Sequence, residues 1–292
     1  MPPPGRPNIV TLLTDFGTSD GYVAAMKGVI LSINPAAAIV DVTHDIPPQD
    51  IHAAAFVLSQ CATSFPSGTV HLVVVDPEVG SSRRALAIAT PNALFLAPDN
   101  GVISLAIDGH LPEPAARELT GPPLPERRPV PPTLRALSIE NRALFLPSVS
   151  PTFHGRDMFA PVAAHLAAGV PLQTVGPPVA DLNLFEVPSP LLQSSGAVTG
   201  WVVHIDRFGN LITNVREGTI KAMAGDVQID LGGTVIQGLS RTYAEGGQLM
   251  ALIGSHGCLE VAARNGSAAN VLNIGRWSPV HIIPEGVSPA GG

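Results

Sequence analysis

The hydrophobic periodicity changes once along this chain, near residue 190, and that change restricts what it can fold into. Before it, apolar runs alternate with helix-like segments: NIVTLLTDF (8–16), GYVAAMKGVILSI (21–33), AAIVDVTHD (37–45), DIHAAAFVLSQCATSF (50–65) and TVHLVVVDP (69–77). Strand, helix, strand, helix, strand is the rhythm of a parallel sheet covered by helices. After residue 195 the runs shorten, alternate and are punctuated by glycine: GAVTGWVVHIDRFGNLITNV, DVQIDLGGTVIQGLS and QLMALIGSHGCLEVAA. That pattern predicts antiparallel strands in a small barrel or sandwich. The join, FEVPSPLLQSSG, is rich in Pro and Ser, as linkers are. The expected organisation is an α/β domain over 1–185, a linker over 186–195 and an all-β barrel over 196–292. A stretch over 111–132 holds eight prolines and can be neither regular helix nor central strand. It reads as a surface excursion within the first domain.

Composition narrows the function. The chain carries 16 basic and 23 acidic side chains, a net charge of −7, with the basic residues spread out. No basic face for nucleic acid is expected. Cys61 and Cys258 match no metal-ligand spacing and read as ordinary packed thiols in a reducing compartment. The opening MPPPGRPNIV has no signal-peptide core, and no apolar stretch is long enough to span a bilayer. The expected location is the cytoplasm, with no membrane partner.

In an open parallel sheet, ligands bind outside the carboxyl ends of the strands. Four predicted strands deliver polar residues there: Thr14 and Asp15, with Asp20 and Tyr22 just beyond; Thr43, His44 and Asp45; Asp76; and Asp99 with Asn100. Any one of these sets is also a good turn or helix cap. Together they make a ligand rim. Arg83 follows Asp76 by seven residues, and SPTFHGRDMFAPVAAHLAAGV places His154, Arg156 and Asp157 at the head of an otherwise apolar helix. There is no G-x-G-x-x-G, Walker loop, G-x-S-x-G elbow or H-E-x-x-H helix. Asp15, Asp20, His44 and Asp45 leave a metal-dependent hydrolase open as an alternative, as is a nucleoside-binding protein without turnover.

Six segments in order carry a resemblance: TDFGTSDGYVAAMKGVI, DVTHDIPPQDI, VVDPEVGSSRRALA, APDNGV, TFHGRDMFAPVAAHLA and IDRFGNLITNV. They resemble the adenosine-forming S-adenosyl-L-methionine hydrolases, also called S-adenosylmethionine hydroxide adenosyltransferases, which are related to the enzymes that make fluorinated and chlorinated adenosine. The resemblance spans nearly the whole chain apart from 111–132. It implies an α/β domain followed by a β-barrel, no metal or other cofactor, and a homotrimer with each active site between one subunit's first domain and a neighbour's second. It also implies a water-handling triad that falls on Asp76, Arg83 and His154. By the same resemblance Asp15 holds the ribose hydroxyls, Asp206 the methionine ammonium and Ser255 the amino-acid portion. Phe208 stacks on adenine, Asn210 bonds its edge, and Tyr243 is a second stacking ring. His256 stands where the halogenating relatives have an arginine on the methionine carboxylate, so the clamp is weaker here. Those relatives carry aromatic residues at the positions of Asp76 and His154, and a tryptophan at that of Gln49. The implied chemistry is sound: a sulfonium leaves as a neutral thioether, and the missing ingredient is a nucleophile better than water, whose pKa is about 15.7.

Overall fold

The computed structural model describes residues 7–223 and 225–285, which form two compact units. One comprises the described residues up to Pro112 together with Leu124–Phe185; the other comprises Glu113–Pro123 together with the described residues from Glu186 onward.

The first unit contains β1 (Ile9–Thr14), α1 (Tyr22–Ile33), β2 (Ala38–Thr43), α2 (Ile51–Ala62), β3 (Thr69–Val74), β4 (Ala85–Ala89), β5 (Ala93–Pro98), β6 (Glu126–Pro129), β7 (Arg135–Ser138), α3 (Ala160–Ala167) and β8 (Asp181–Leu184). Its sheet runs in the order β2-β1-β3-β5-β4-β7. Strands β2, β1, β3 and β5 are mutually parallel, and β4 runs antiparallel to both its neighbours, β5 and the edge strand β7. The central strands are buried on both faces, and their side chains alternate between two cores. Val10, Leu12, Val70, Leu72 and Val74 meet Met26 and Ile30 of α1 and Val162, Ala163 and Leu166 of α3. Leu13, Val73 and Val75 point the other way, into a core that includes Ala53, Ala54 and Leu58 of α2. Each fully buried Leu, Ile or Val contributes about 1.5–3 kcal/mol. The alanines of α3, almost completely buried, let that helix lie close on the sheet.

The second unit contains β9 (Leu191–Leu192), β10 (Val198–Ile205), β11 (Leu211–Arg216), α4 (Glu217–Lys221), β12 (Val227–Leu231), β13 (Thr234–Gln237), β14 (Leu249–Ile253), β15 (Cys258–Ala263), α5 (Ala268–Leu272) and β16 (Pro279–Pro284). The strands run β13-β12-β16-β10-β11-β15-β14, all antiparallel, with β9 beside β10. The end strands β13 and β14 come against each other, so the sheet curls into a nearly closed barrel. Alternation is plain in β12, where Val227, Ile229 and Leu231 face the core and Gln228 and Asp230 do not.

Two expectations need correction. The proline-rich stretch is not wholly an excursion of the first domain: 113–123 belongs to the second unit, where Ala116 bridges to Ser189. Residues Glu126–Pro129 pair with β8 in a two-stranded ribbon, the kind of peripheral pairing that proline tolerates. The helix expected to begin at His154 opens instead with a π-turn, Gly155–Phe159, before α3. Among the described residues, no helix is long and apolar enough to cross a membrane.

One buried group with no distinguishing mark in the sequence is His71, in the middle of β3 with no exposed surface. Its Nδ1 lies 2.8 Å from Thr11 Oγ1, and its ring stacks on Phe95 at 5.1 Å between centroids. Burial pushes its pKa down from 6.5 to about 4. The unfolded chain therefore binds a proton that the native state refuses, so this histidine's contribution is complete above pH 6.5 and is lost as pH falls toward about 4. Urea unfolding at a series of pH values should show a shallower slope across that window for His71→Gln than for wild type. Equal slopes would show that His71 does not drive this acid sensitivity.

Candidate active site

Because β1, β2, β3 and β5 are parallel, their carboxyl ends share one edge, and β3 carries the densest polar cluster there. Its end is fixed by Asn100, whose Nδ2 donates to Val75 O at 2.9 Å while its Oδ1 accepts from Val102 N at 3.1 Å. Asp76 comes next. The loop turns back through Gly80 (φ +81°), where an added Cβ would stand 2.5 Å from Pro151 O. Glycine at this point lets the loop press against the segment leading to His154.

Arg83 then returns to Asp76. Its Nε donates to Oδ1 at 3.0 Å and Oδ2 at 2.9 Å, and its Nη2 also donates to Oδ2. Both side chains are nearly sealed, 5% and 4% exposed. The same Nη2 lies 2.9 Å from His154 Nδ1, and the guanidinium carbon sits 5.6 Å from the centroid of the Phe159 ring. Arginine has no acceptor and does not deprotonate in proteins, so it donates to Nδ1. The hydrogen of the neutral imidazole is thereby placed on Nε2. Burial, and then the Arg83 charge, push the His154 pKa down and keep the ring neutral. The triad therefore holds one carboxylate, one fixed cation and one N–H donor whose tautomer is set by its neighbour.

The turn just after His154 holds it in place. Asp157, fully buried, accepts from Ser150 N at 2.8 Å and from Arg156 Nε at 2.6 Å, and its carbonyl accepts from Leu146 N at 3.0 Å. Burial alone would raise the Asp157 pKa, but Arg156 and the Ser150 N–H bring it below the ordinary value. A Cβ added at Gly155 would meet Met26 Sδ, Val74 and Phe153 at 3.3–3.5 Å, so the π-turn is seated tightly on α1 and β3.

The other rim residues divide. Asp15 Oδ2 accepts from Gln49 N at 2.8 Å, and Gln49 has a left-handed backbone, φ +66°. His44 is buried, with Nδ1 2.9 Å from Thr14 Oγ1 and Nε2 3.0 Å from Asp41. Asp20 and Asp45 are exposed. Among the described residues no group of three or more His, Cys, Asp or Glu is placed to hold a metal ion, so Asp15, Asp20, His44 and Asp45 do not assemble as a ligand set. Asp99 belongs to the scaffold: it accepts from Arg84 at 2.8 and 2.6 Å and from Asn183 N at 2.8 Å.

In the second unit, Asp206 organises the turn between β10 and β11. Its Oδ1 accepts from Phe208 N and Asn210 N, both at 2.9 Å, and its Oδ2 accepts from Asn210 Nδ2 at 2.9 Å. Phe208 is left 77% exposed at the tip. Tyr243, half-exposed, donates its hydroxyl to Glu260, a side chain only 2% exposed that no sequence motif singles out. His256 Nδ1 lies 4.0 Å from the other oxygen of Glu260. Ser255 is exposed in the same Gly254–Gly257 turn. Burial, then Glu260, then Asp206 raise the Tyr243 pKa to about 12, which places Asp206 within electrostatic reach of that ring.

A part-buried acid–arginine–histidine cluster at the carboxyl rim of a parallel sheet, on a chain that continues into an antiparallel barrel, defines the class: an α/β–β-barrel enzyme. Residues 10–176 match the SAM hydroxide adenosyltransferase N-terminal domain and residues 200–281 its C-terminal domain. The chain belongs to that family. It is 38% identical over 94% of its length to an (R)-S-adenosyl-L-methionine hydrolase of Thermus thermophilus, covering 99% of that protein. It is 29% identical over 94% of its length to a fluorinase of Actinoplanes, covering 96% of it. A crystal structure of an uncharacterized conserved protein from Thermotoga maritima superposes with a TM-score of 0.80 at 32% identity, over 94% of this chain and 99% of that one.

The sealed ion pair predicts a stability signature. Arg83→Met leaves a buried carboxylate without its cation and should lower the unfolding free energy by about 3–5 kcal/mol. The double change Asp76→Asn/Arg83→Met should recover a large part of that loss in denaturant titrations. A single variant as stable as wild type would show that the pair is not closed to solvent.

Proposed function

We propose that this enzyme hydrolyses S-adenosyl-L-methionine by in-line attack of water on the ribose 5′ carbon, giving adenosine and L-methionine. The observation that carries the reading is the Asp76–Arg83–His154 cluster, whose 2.9 Å Arg83–His154 contact fixes which atoms can accept and which can donate. The Nδ1 lone pair of His154 is taken by Arg83, so the ring offers its Nε2 hydrogen and no base. The Asp76 carboxylate is the remaining acceptor. It orients the attacking water and receives its proton late, as the new C–O bond forms. His154 holds the water oxygen from the donor side, and Arg83 keeps both partners in place. The C–S bond breaks with its electrons moving to sulfur, and methionine departs as a neutral thioether. That leaving group needs no general acid, and the reaction needs no metal or cofactor. Positioning of this kind is worth several kcal/mol of the barrier. Asp76 also repels an anion, which favours water over halide.

The same reading gives Asp15 the ribose hydroxyls, Asp206 the substrate ammonium, and Ser255 with His256 the rest of the amino-acid portion. Phe208 and Tyr243 stack on adenine, and Asn210 bonds its edge. The active species is a cytoplasmic homotrimer in which one subunit's α/β unit meets a neighbour's barrel. Sedimentation should find the activity in the trimer, and a fully active monomer would remove that shared site.

In oxygen-18 water the reaction should give adenosine carrying one label and unlabelled methionine, with no 5′-halo-adenosine when chloride or fluoride is added. Asp76→Asn keeps the shape and loses the basicity, and it should slow turnover at least about tenfold while substrate still binds. Label in methanol or homoserine would mean a different bond breaks. Near wild-type turnover of Asp76→Asn would show that Asp76 is not the proton acceptor.

A further inference from the structure

Glu260 is the one deeply buried carboxylate of the barrel unit among the described residues, and the reaction scheme does not use it. It lies on β15 between Ile212 of β11 and Leu252 of β14, in a strand whose other residues are apolar or small. A carboxylate in such a place is costly unless it is bonded. Tyr243 supplies the bond, donating its hydroxyl to Oε1. Gly254 supplies the room: an added Cβ there would stand 2.5 Å from Oε2 of Glu260 and 3.2 Å from Nδ1 of His256. The Tyr243 hydroxyl is therefore tethered inward while the residue stays 51% exposed. A half-exposed aromatic ring outside regular structure normally samples several rotamers, and ordering it costs free energy at the moment a ligand binds. Here the ordering is done in advance.

We propose that Glu260 is a positioning residue: it locks the Tyr243 hydroxyl, with His256 at its other oxygen, so that the ring stands ready as a platform for the flat, uncharged base of the ligand. This rests on the adenosyl substrate assigned above. The role predicts a division of effects. Binding of the adenosyl group depends on Glu260, while the chemical step, which belongs to Asp76, Arg83 and His154, does not.

The chain has only two tyrosines, Tyr22 and Tyr243, so the tether can be read directly. In a Tyr22→Phe background, ultraviolet titration of the phenol should follow Tyr243 alone, with a pKa of about 12 that moves toward 10.0 in Glu260→Gln. Adenosine binding by calorimetry and S-adenosyl-L-methionine kinetics then test the platform. Glu260→Ala should weaken adenosine binding and raise KM about five- to tenfold, the lower part of the range for loss of an aromatic–base stack, with kcat within about twofold. Glu260→Gln retains a carbonyl oxygen to accept from the phenol and should restore most of the affinity. Tyr243→Phe keeps the ring but cuts the tether, and combined with Glu260→Ala it should be no worse than either change alone. If Glu260→Ala does not fold, the Glu260→Gln titration and the Tyr243→Phe binding constant carry the same test. An unshifted phenol in Glu260→Gln, or unchanged affinity in both Glu260→Ala and Tyr243→Phe, overturns the proposal. Wild-type protein that binds neither adenosine nor S-adenosyl-L-methionine would overturn the substrate reading instead, and the titration would still report on the tether.

Discussion

The ion pair between Asp76 and Arg83 is the constraint around which the first unit is built. Taking two charges out of water costs several kcal/mol per ion even after relaxation, and only close, multiple hydrogen bonds offset it. Here the acid receives three such bonds from one guanidinium. Each nearby oddity of the chain serves that closeness. Asn100 ties down the strand end that delivers the acid, and Gly80 lets the connecting loop pass under Pro151. Phe159 closes over the cation from the helix side. A hydrophobic pair of similar volume would hold the fold as well or better. What it could not do is assign a tautomer to His154.

That assignment separates the duties of the three residues. A histidine beside a carboxylate usually raises the question of which one moves the proton. With Nδ1 facing a cation, the ring can donate only through Nε2, and burial first, then the Arg83 charge, depresses the imidazole's basicity. In the barrel unit an analogous division holds. Asp206 uses both oxygens to shape the Phe208–Asn210 tip of its turn, with acceptor capacity left on Oδ2, and Glu260 holds a tyrosine. Both units use acids as fixtures for other groups of the chain.

Much of this is legible in the residues. The apolar runs of NIVTLLTDF and TVHLVVVDP predict β1 and β3, strands buried on both faces, and the helix-like GYVAAMKGVILSI between the runs predicts α1. Motif order points to Asp76, Arg83 and His154, and the structure brings these three together. Elsewhere local pattern loses to tertiary context. Prolines in 111–132 exclude a central strand but cannot say which unit the segment joins, since that depends on Ala116 finding Ser189 far along the chain. Asp99 reads as a rim residue because acids at strand ends often bind ligands; its partners Arg84 and Asn183 are distant in sequence. Glu260 escapes notice because a single acid in CLEVAA looks like a solvent-facing strand position. Its one available signal is the tyrosine it needs, seventeen residues earlier.

The π-turn at Gly155–Phe159 makes the site unusually sensitive to chain length. A π-turn accommodates one more residue than the α-helix it interrupts, so Gly155–Phe159 has already taken up one extra residue and has no slack for another. Each residue of an α-helix accounts for about 100° of rotation and 1.5 Å of rise. Relative to α3, which is clamped on the sheet by Val162, Ala163 and Leu166, everything before a further inserted residue would swing by that angle. His154 would leave Arg83 without any change in the residues that make the triad. For a lineage built on this fold, an insertion at this one position is therefore a larger step than substitution at most others, because the spacing between Phe153 and Pro161 sets where His154 stands.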